Sequence, residues 1–160
     1  MKILRIQGKN LASIAGEFDI DFTAAPLRSA GIFAICGPTG AGKSTILDAI
    51  CLALFNNMPR TTGIEGTKMP DVGQEFIQQG DRRQILRRGT AEAMAAVEFI
   101  AVDGKSYRSV WRVWRANNKI SGKLQPAELR VYPLGALSPI TTVIREPENK
   151  LIQLIGLNYN

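Results

Sequence analysis

The chain has 160 residues, of which 45% are hydrophobic, and 20 Lys and Arg outnumber 14 Asp and Glu to give a net charge of +6. This length supports one hydrophobic core, so we expect a single domain over residues 1–160. Because the chain has no histidine, a histidine general base or histidine metal site within it is excluded.

No apolar run reaches the roughly 20 residues that cross a bilayer. Residues 1–5 also lack the apolar stretch of a secretory signal. We therefore expect a cytoplasmic protein with no membrane partner.

Three strands are predicted before residue 37. Ile3, Leu4 and Ile6 predict the first, and residues 17–22 alternate polar and apolar side chains, which predicts a half-exposed partner. Residues 31–36 are a continuous apolar run, typical of a central parallel strand that is buried on both faces.

Residues 37–44 fit the P-loop pattern G-x-x-x-x-G-K-[ST]. Its glycines let backbone N–H groups approach a phosphate, next to the N-terminus of a helix. Lys43 would then reach the β- and γ-phosphates as the catalytic cation, and the Ser44 hydroxyl would ligate Mg²⁺. The predicted phosphate-binding residues are Gly37, Pro38, Thr39, Gly40, Ala41, Gly42, Lys43, Ser44 and Thr45. The alternative is a glycine-rich turn without a ligand.

A helix over residues 45–55 should follow, apolar nearly all round and therefore enclosed. Asp48 is its only charge, and it either assists the magnesium shell through water or makes a structural hydrogen bond. Cys36 and Cys51 are interpreted as small core hydrophobes in a reducing compartment, not as a disulfide or a metal pair.

Proline and glycine punctuate residues 56–74, which predicts a long loop that is either functional or disordered. A short helix around residues 75–88 could follow, with Gly89 as a stop signal. Arg83 and Arg87 would share a face of that helix. This face is either a basic binding surface or an ordinary solvated surface.

The second half of the chain predicts an antiparallel meander. Residues 94–102 and 105–115 are β-prone runs joined at Asp103-Gly104, a dipeptide suited to a tight hairpin turn. A third strand is predicted around residues 127–131, a turn at 133–136, and a return strand at 140–144. The tail from Glu146 predicts a short amphipathic helix that stops at Gly156.

Residues 99–103 also fit a Walker B strand, in which Asp103 would hold the magnesium shell. A hairpin turn explains the same acid without a metal. A self-contained P-loop kinase would require the Walker B interpretation.

Basic residues are concentrated between Arg82 and Arg115, where eight of them face three acidic residues, so a polyanion partner is plausible. In the strand over 105–115, aromatic and basic residues mix on both faces, and such residues contact phosphates and stack on bases. The alternative is a hairpin on which arginine stems cover indole rings. One face carries Arg108, Arg112 and Trp114, and the other carries Tyr107, Trp111 and Arg115.

The chain as a whole resembles the N-terminal part of SbcC, the ATPase subunit of a bacterial DNA exonuclease complex related to the SMC proteins. The most specific part of the match is the P-loop followed by Leu47-Asp48-Ala49-Ile50. The segments that carry it are residues 1–4, 9–11, 13, 20–22, 33–44, 47–54, 59–60, 90–92, 97–99 and 154–159.

The resemblance implies an α/β P-loop NTPase fold, the N-terminal half of an ABC-type ATPase head with an antiparallel β-meander. In that family the two ends of a long chain form one head, and two heads enclose two ATP molecules. The Walker B carboxylates, signature loop and switch histidine belong to the other end, and a magnesium-contacting glutamine is expected soon after Tyr159. Asn10 and Ser13 would approach the nucleotide, whereas Ala12 cannot supply the basic residue that relatives often carry nearby.

The function implied is ATP-driven joining of heads, which controls access of DNA to a partner metallonuclease of the SbcD type. ATP and Mg²⁺ are the implied cofactors, and the implied partners are the missing C-terminal half of the head, a second head, the nuclease and DNA. The isolated segment should hydrolyse ATP weakly or not at all. An SMC-type chromosome-organising ATPase, a self-contained kinase and a plain DNA-binding module remain as alternatives.

Overall fold

The structure is a computed structural model that describes residues 1–61, 63–64, 66–140 and 146–156. The strands are β1 (Lys2–Leu11), β2 (Ile14–Asp21), β3 (Lys68–Pro70), β4 (Phe76–Gln78), β5 (Glu92–Ile100), β6 (Ser106–Trp114) and β7 (Glu128–Pro133). The helices are α1 (Lys43–Phe55) and α2 (Glu146–Ile155), and single turns of 3₁₀ helix occur at Leu27–Ser29, Pro59–Thr61, Arg82–Ile85 and Ala116–Asn118.

Five strands form one antiparallel sheet in the order β2-β1-β5-β6-β7. The predicted hairpin is confirmed, since Phe99 pairs with Tyr107 and the Gly104 N–H donates to the Ala101 carbonyl at 3.1 Å. Gly104 has φ +77°, a conformation that glycine adopts without a steric cost. The predicted meander is therefore present, with β7 as its third strand.

The hydrophobic core lies between one face of this sheet and α1. Burial alternates along β6, and Ser109 and Trp111 on the buried face donate hydrogen bonds to the Ala53 carbonyl and to Asn56 at the end of α1. Helix α2 closes the core with Leu151, Leu154 and Ile155, all at most 5% exposed. The sheet thus has one buried face and one open face, as expected for an antiparallel sheet.

The predicted buried strand over residues 31–36 is wrong. These residues form no regular strand, and residues 31–41 are all exposed. Ile32 is 94% exposed, and the Phe33 ring packs only partly, on Phe22 at a centroid distance of 4.8 Å. A strand needs neighbours to accept its hydrogen bonds, and no described strand pairs with this segment. Cys36 is accordingly exposed, which corrects its assignment to the core, whereas Cys51 is buried as predicted.

Helix α1 begins two residues before the predicted start and ends at the predicted residue. Most of it is buried, but Ser44 is exposed and Leu47 is 54% exposed. The prediction that this helix is fully enclosed is therefore wrong. Its side at Ser44 and Leu47, next to the P-loop, is open to solvent.

The segment between α1 and β5 also departs from expectation. The predicted loop over 56–74 contains β3, which pairs with β4 through Lys68 and Gln78, so no helix spans residues 75–88. A single 3₁₀ turn over Arg82–Ile85 is the helical part of the predicted segment. Arg83 and Arg87 consequently share no helix face.

The end of the chain follows the prediction where it is described. Gly156, with φ +72°, donates its N–H to the Ile152 carbonyl at 2.9 Å and ends α2. Ile140 donates its N–H to the Val131 carbonyl at 2.8 Å, while the rest of the return strand predicted over 140–144 lies outside the described residues. None of the helices described is long and apolar enough to span a membrane.

Candidate nucleotide-binding site

The P-loop, residues 37–45, connects the exposed segment to the first turn of α1. Gly42 caps this helix with φ +90°, and a Cβ placed on it would lie 2.7 Å from Cγ1 of Ile14 and 3.3 Å from Oγ of Ser13. Both the backbone conformation and the packing therefore require glycine at this position.

The N-terminus of α1 presents backbone donors that have no partner within the helix. The first helical hydrogen bond runs from the Ile46 N–H to the Gly42 carbonyl at 3.1 Å, so the N–H groups of Lys43, Ser44 and Thr45 precede it. The first turn carries no acidic residue. These donors and the helix dipole make the terminus suitable for an anion.

Lys43 lies across the mouth of the loop. Its Nζ donates to the Gly37 carbonyl at 2.7 Å and to the Pro38 carbonyl at 2.8 Å. The neighbouring Ser44 is exposed, whereas Thr45 is buried and its Oγ1 lies 3.5 Å from Oγ of Ser13. The structure thus brings the lysine, the serine and the glycine-rich turn together, as the motif predicts.

The β1–β2 turn, residues 11–14, lies against the P-loop, and its neighbour Asn10 is already engaged. The Asn10 side chain accepts from the Gly16 N–H at 3.1 Å and donates to the Glu92 carbonyl at 3.2 Å. Ser13, by contrast, contacts both Gly42 and Thr45. Of the two residues that the resemblance places near the nucleotide, only Ser13 contacts the P-loop.

Asp48 lies one turn after Ser44 but is 3% exposed and paired with Arg60. Burial raises the pKa of its carboxyl, and the Arg60 guanidinium opposes that shift. This ion pair favours the structural role for Asp48 over a role in the magnesium shell.

Asp103 occupies the β5–β6 turn and accepts hydrogen bonds from the Lys105 N–H at 3.0 Å and the Tyr107 hydroxyl at 2.8 Å. These two donors hold the pKa of Asp103 below its usual value. The hairpin interpretation of this acid is confirmed. No cluster of three metal-ligating side chains occurs within the described ranges.

Half of the eight basic residues from Arg82 to Arg115 form described ion pairs, namely Arg83, Arg108, Arg112 and Arg115. Arg83 pairs with Asp81, and Arg115, 8% exposed, forms a two-point pair with Asp71 at 2.6 and 2.9 Å. Each of these two cations lies beside a carboxylate, which reduces the charge excess of this run.

The two faces of β6 differ in what they could bind. Trp111 is fully buried and donates Nε1–H to Oδ1 of Asn56 at 3.0 Å, so this face cannot stack on bases. The opposite face borders an open groove of about 880 Å³ with balanced charge. The charged residues of this groove are Lys9, Arg108 and Arg112 against Glu17, Glu92 and Glu98.

Sequence reasoning missed one residue at the site. Arg87 donates from Nη1 to the carbonyl oxygens of Ala12 and Ser13 at 2.9 and 3.0 Å. Because the two partners are more than 70 positions away in the sequence, no local pattern could have shown this contact.

Comparison with known proteins agrees with this geometry. Residues 5–151 match the protein family described as AAA domain. Among curated proteins, the SbcC component of the nuclease SbcCD from Pseudomonas aeruginosa is 47% identical over 99% of this chain, and that from Rhodobacter capsulatus is 53% identical over 99%. A probable DNA double-strand break repair Rad50 ATPase of Aquifex aeolicus is 32% identical over 99% of the chain.

The chain spans 13% of the length of each of these three relatives. The fold class expected from the sequence is confirmed as a P-loop ATPase domain with mixed helices and antiparallel strands. The chain therefore belongs to the AAA domain family, and its resemblance to the N-terminal segment of SbcC is confirmed.

Proposed function

We propose that this chain binds ATP, with the triphosphate on the P-loop and Mg²⁺ on the Ser44 hydroxyl. The observation that carries the proposal is the packing of Gly42 against the β1–β2 turn, with Lys43 across the loop mouth. The proposed ligands are Gly37, Pro38, Thr39, Gly40, Ala41, Gly42, Lys43, Ser44 and Thr45.

The residues present fit a magnesium triphosphate. The backbone donors at the start of α1 suit phosphate oxygens, and the Lys43 ammonium supplies the positive charge that a β/γ-phosphate pair requires. When bound, ATP supplies a hydrolysable γ-phosphate, and Mg²⁺ neutralises charge on its oxygens. In our proposal, Lys43 orients the phosphates and stabilises their negative charge.

We further propose that the chain is the N-terminal part of an ATPase head in a nuclease complex. Two of the relatives are components of a nuclease, and a third is named as a repair ATPase. The exposed apolar side chains beside the P-loop suggest that another polypeptide segment covers them. These side chains are Ile32, Phe33, Ile35 and Leu47.

The proposed partners are the rest of the head, a second head, an SbcD-type metallonuclease and DNA. ATP would draw two heads together, and hydrolysis would release them and change the access of DNA to the nuclease. We propose a cytoplasmic location for this assembly, in keeping with the two free cysteines.

We expect little ATP hydrolysis from this chain alone. Asp48 is held by Arg60, and Asp103 lies in a hairpin turn with both its oxygens hydrogen-bonded. Neither carboxylate is free to activate water, so we propose that the base comes from another segment of the head. The Asp103 geometry also weighs against a self-contained kinase.

Calorimetric titration with Mg-ATP tests the proposal. Replacing Lys43 with Ala should weaken binding at least tenfold, because charge-assisted hydrogen bonds to two phosphates are lost. Lys119→Ala, which removes an exposed lysine from another part of the surface, is the matched control and should leave the Kd unchanged. Failure of the unaltered protein to bind Mg-ATP, or equal binding by Lys43→Ala, would contradict the proposal.

The partner protein distinguishes a nuclease component from an SMC-type ATPase. Affinity capture with the full-length protein should recover a metallonuclease in the first case and none in the second. The names of the relatives favour the first.

A further inference from the structure

The β1–β2 turn acts as a wall of the P-loop. Ser13 Oγ and Ile14 Cγ1 occupy the space where a side chain on residue 42 would stand, and Ser13 also contacts Thr45. The position of this turn therefore sets the position of Gly42 and of the first helical residues that follow it.

The backbone of the turn is held in a conformation that it would not adopt unaided. Asn10 and Ala12 have φ values of +52° and +44°, in the left-handed region, which is sterically unfavourable for Ala12 because of its Cβ. Such a conformation persists only when surrounding contacts impose it.

Those contacts come from the segment just before β5. Ala12 donates its N–H to the Ile85 carbonyl at 2.7 Å, and the Arg87 N–H donates to the Asn10 carbonyl at 3.0 Å. The Arg87 guanidinium adds two donations from Nη1, to the carbonyls of Ala12 and Ser13. Arg87 thus holds the turn through both its backbone and its side chain.

The side-chain hydrogen bonds of Arg87 go to backbone carbonyls. Arg83 and Arg115 are paired with carboxylates, whereas within the described part of the chain no carboxylate forms an ion pair with Arg87. A guanidinium is always protonated, so its charge stays uncompensated next to the loop that would receive an anion.

We propose that Arg87 is a positioning residue for nucleotide binding, which fixes the Ala12–Ser13 turn against Gly42 and adds its positive charge to the P-loop. This inference rests on the proposed function. It assigns a role in ATP binding to a side chain outside the P-loop motif and 43 residues after Ser44.

The test compares Arg87→Ala, Arg87→Lys and Arg88→Ala in the full-length protein by calorimetric titration with Mg-ATP. Arg87→Ala should raise the Kd about tenfold, since it removes two charge-assisted hydrogen bonds and one charge. Arg87→Lys keeps the charge but not the two-carbonyl geometry, so it should give an intermediate Kd. Arg88, exposed and adjacent, is the matched control, and its replacement should change the Kd less than about twofold.

Thermal unfolding without nucleotide separates positioning from fold stability. A purely structural Arg87 would show a lower Tm in Arg87→Ala with the Kd of the folded protein unchanged, and this would overturn the inference. Equal weakening by Arg88→Ala would also overturn it, as would an Arg87→Lys Kd equal to that of the unaltered protein. If Arg87→Ala does not fold, the Arg87→Lys result decides alone. Failure of the unaltered protein to bind Mg-ATP would instead refute the proposed function.

Discussion

At the scale of single residues, two glycines of the P-loop have different roles. Both have positive φ, +85° at Gly40 and +90° at Gly42. A Cβ at Gly40 would meet nothing within 4 Å, whereas one at Gly42 would overlap Ile14. Glycine is therefore required at position 40 for the backbone conformation alone. At position 42 it is required for the conformation and for close packing against Ile14.

This difference predicts unequal costs of alanine at the two positions. Gly40→Ala should lower the free energy of unfolding by about 1–2 kcal/mol, the cost of a left-handed L-residue. Gly42→Ala should add about 1–3 kcal/mol of overpacking against Ile14. Urea unfolding of both variants measures the difference, and equal losses would refute the packing role of Gly42.

Asp71 and Arg115 form the most buried ion pair among those described, with side chains 14% and 9% exposed. Asp71→Asn leaves the Arg115 guanidinium buried without its carboxylate, so the free energy of unfolding should fall by about 3 kcal/mol. Glu128→Gln breaks the exposed pair with Arg130 and is the matched control, with an expected loss below about 1 kcal/mol. Similar losses in the two variants would show that burial of the pair does not matter.

The same pair predicts a pH dependence. Hydrogen bonding from Arg115 lowers the pKa of Asp71, so its contribution to stability is present above the unfolded-state pKa, near ~3.9. It is lost as the pH falls through the lower folded-state pKa. The stability gap between the unaltered protein and Asp71→Asn should therefore narrow below about pH 4 in urea unfolding. A gap that stays constant from neutral to acid pH would contradict this assignment.

At the scale of elements, Asn56 joins three of them. It ends α1 in the left-handed conformation with φ +52°, accepts the Trp111 Nε1–H of β6, and donates to Glu148 of α2. Helix α1 is thus attached at its C-terminus to both the sheet and the second helix. These contacts fix the end of the helix opposite to the P-loop.

Two substitutions of Asn56 separate its hydrogen bond to Trp111 from its backbone conformation. Asn56→Gly keeps the left-handed conformation but leaves the buried indole N–H without its acceptor, at a cost of about 1–3 kcal/mol. Asn56→Ala adds about 1 kcal/mol or more of backbone strain. Thermal or urea unfolding compares them, and a glycine variant as stable as the unaltered protein would show that the Trp111 hydrogen bond contributes nothing.

The elements that the sequence predicts correctly are those with local causes. The β5–β6 hairpin follows from Asp103-Gly104, and the end of α2 follows from Gly156. The strand over residues 31–36 fails because a strand depends on partners that the apolar run does not reveal. The helix over 75–88 fails because residues 76–78 pair with β3, and a local pattern does not reveal that partner.

The candidate site also has a part that the local sequence predicts and a part that depends on tertiary contacts. The motif over residues 37–45 is contiguous, so its loop and the helix that follows could be predicted. The wall formed by Ser13 and the contacts of Arg87 join residues far apart in sequence, and only the fold brings them to the P-loop.

At the scale of the whole molecule, several exposed apolar side chains lie in the two segments that flank the P-loop. Ile32 and Leu47 are 94% and 54% exposed, and they occupy the apolar segment and the helix that flank the P-loop. Leu137 is equally exposed, at 99%, but borders the charged groove on the open face of the sheet. Exposure alone is ordinary for single side chains, whereas a group beside a binding loop indicates an interface.

The interface proposal predicts opposite behaviour of one double variant in two settings. In the 160-residue chain, Ile32→Ser with Leu47→Ser should reduce concentration-dependent association in size-exclusion chromatography with light scattering, because both side chains face solvent there. In the full-length protein the same variant should lower the free energy of unfolding by about 3 kcal/mol or more, since two buried apolar contacts are lost. Leu137→Ser should change neither measurement. Equal effects of the double variant and Leu137→Ser would mean that the apolar side chains beside the P-loop remain uncovered in the larger protein.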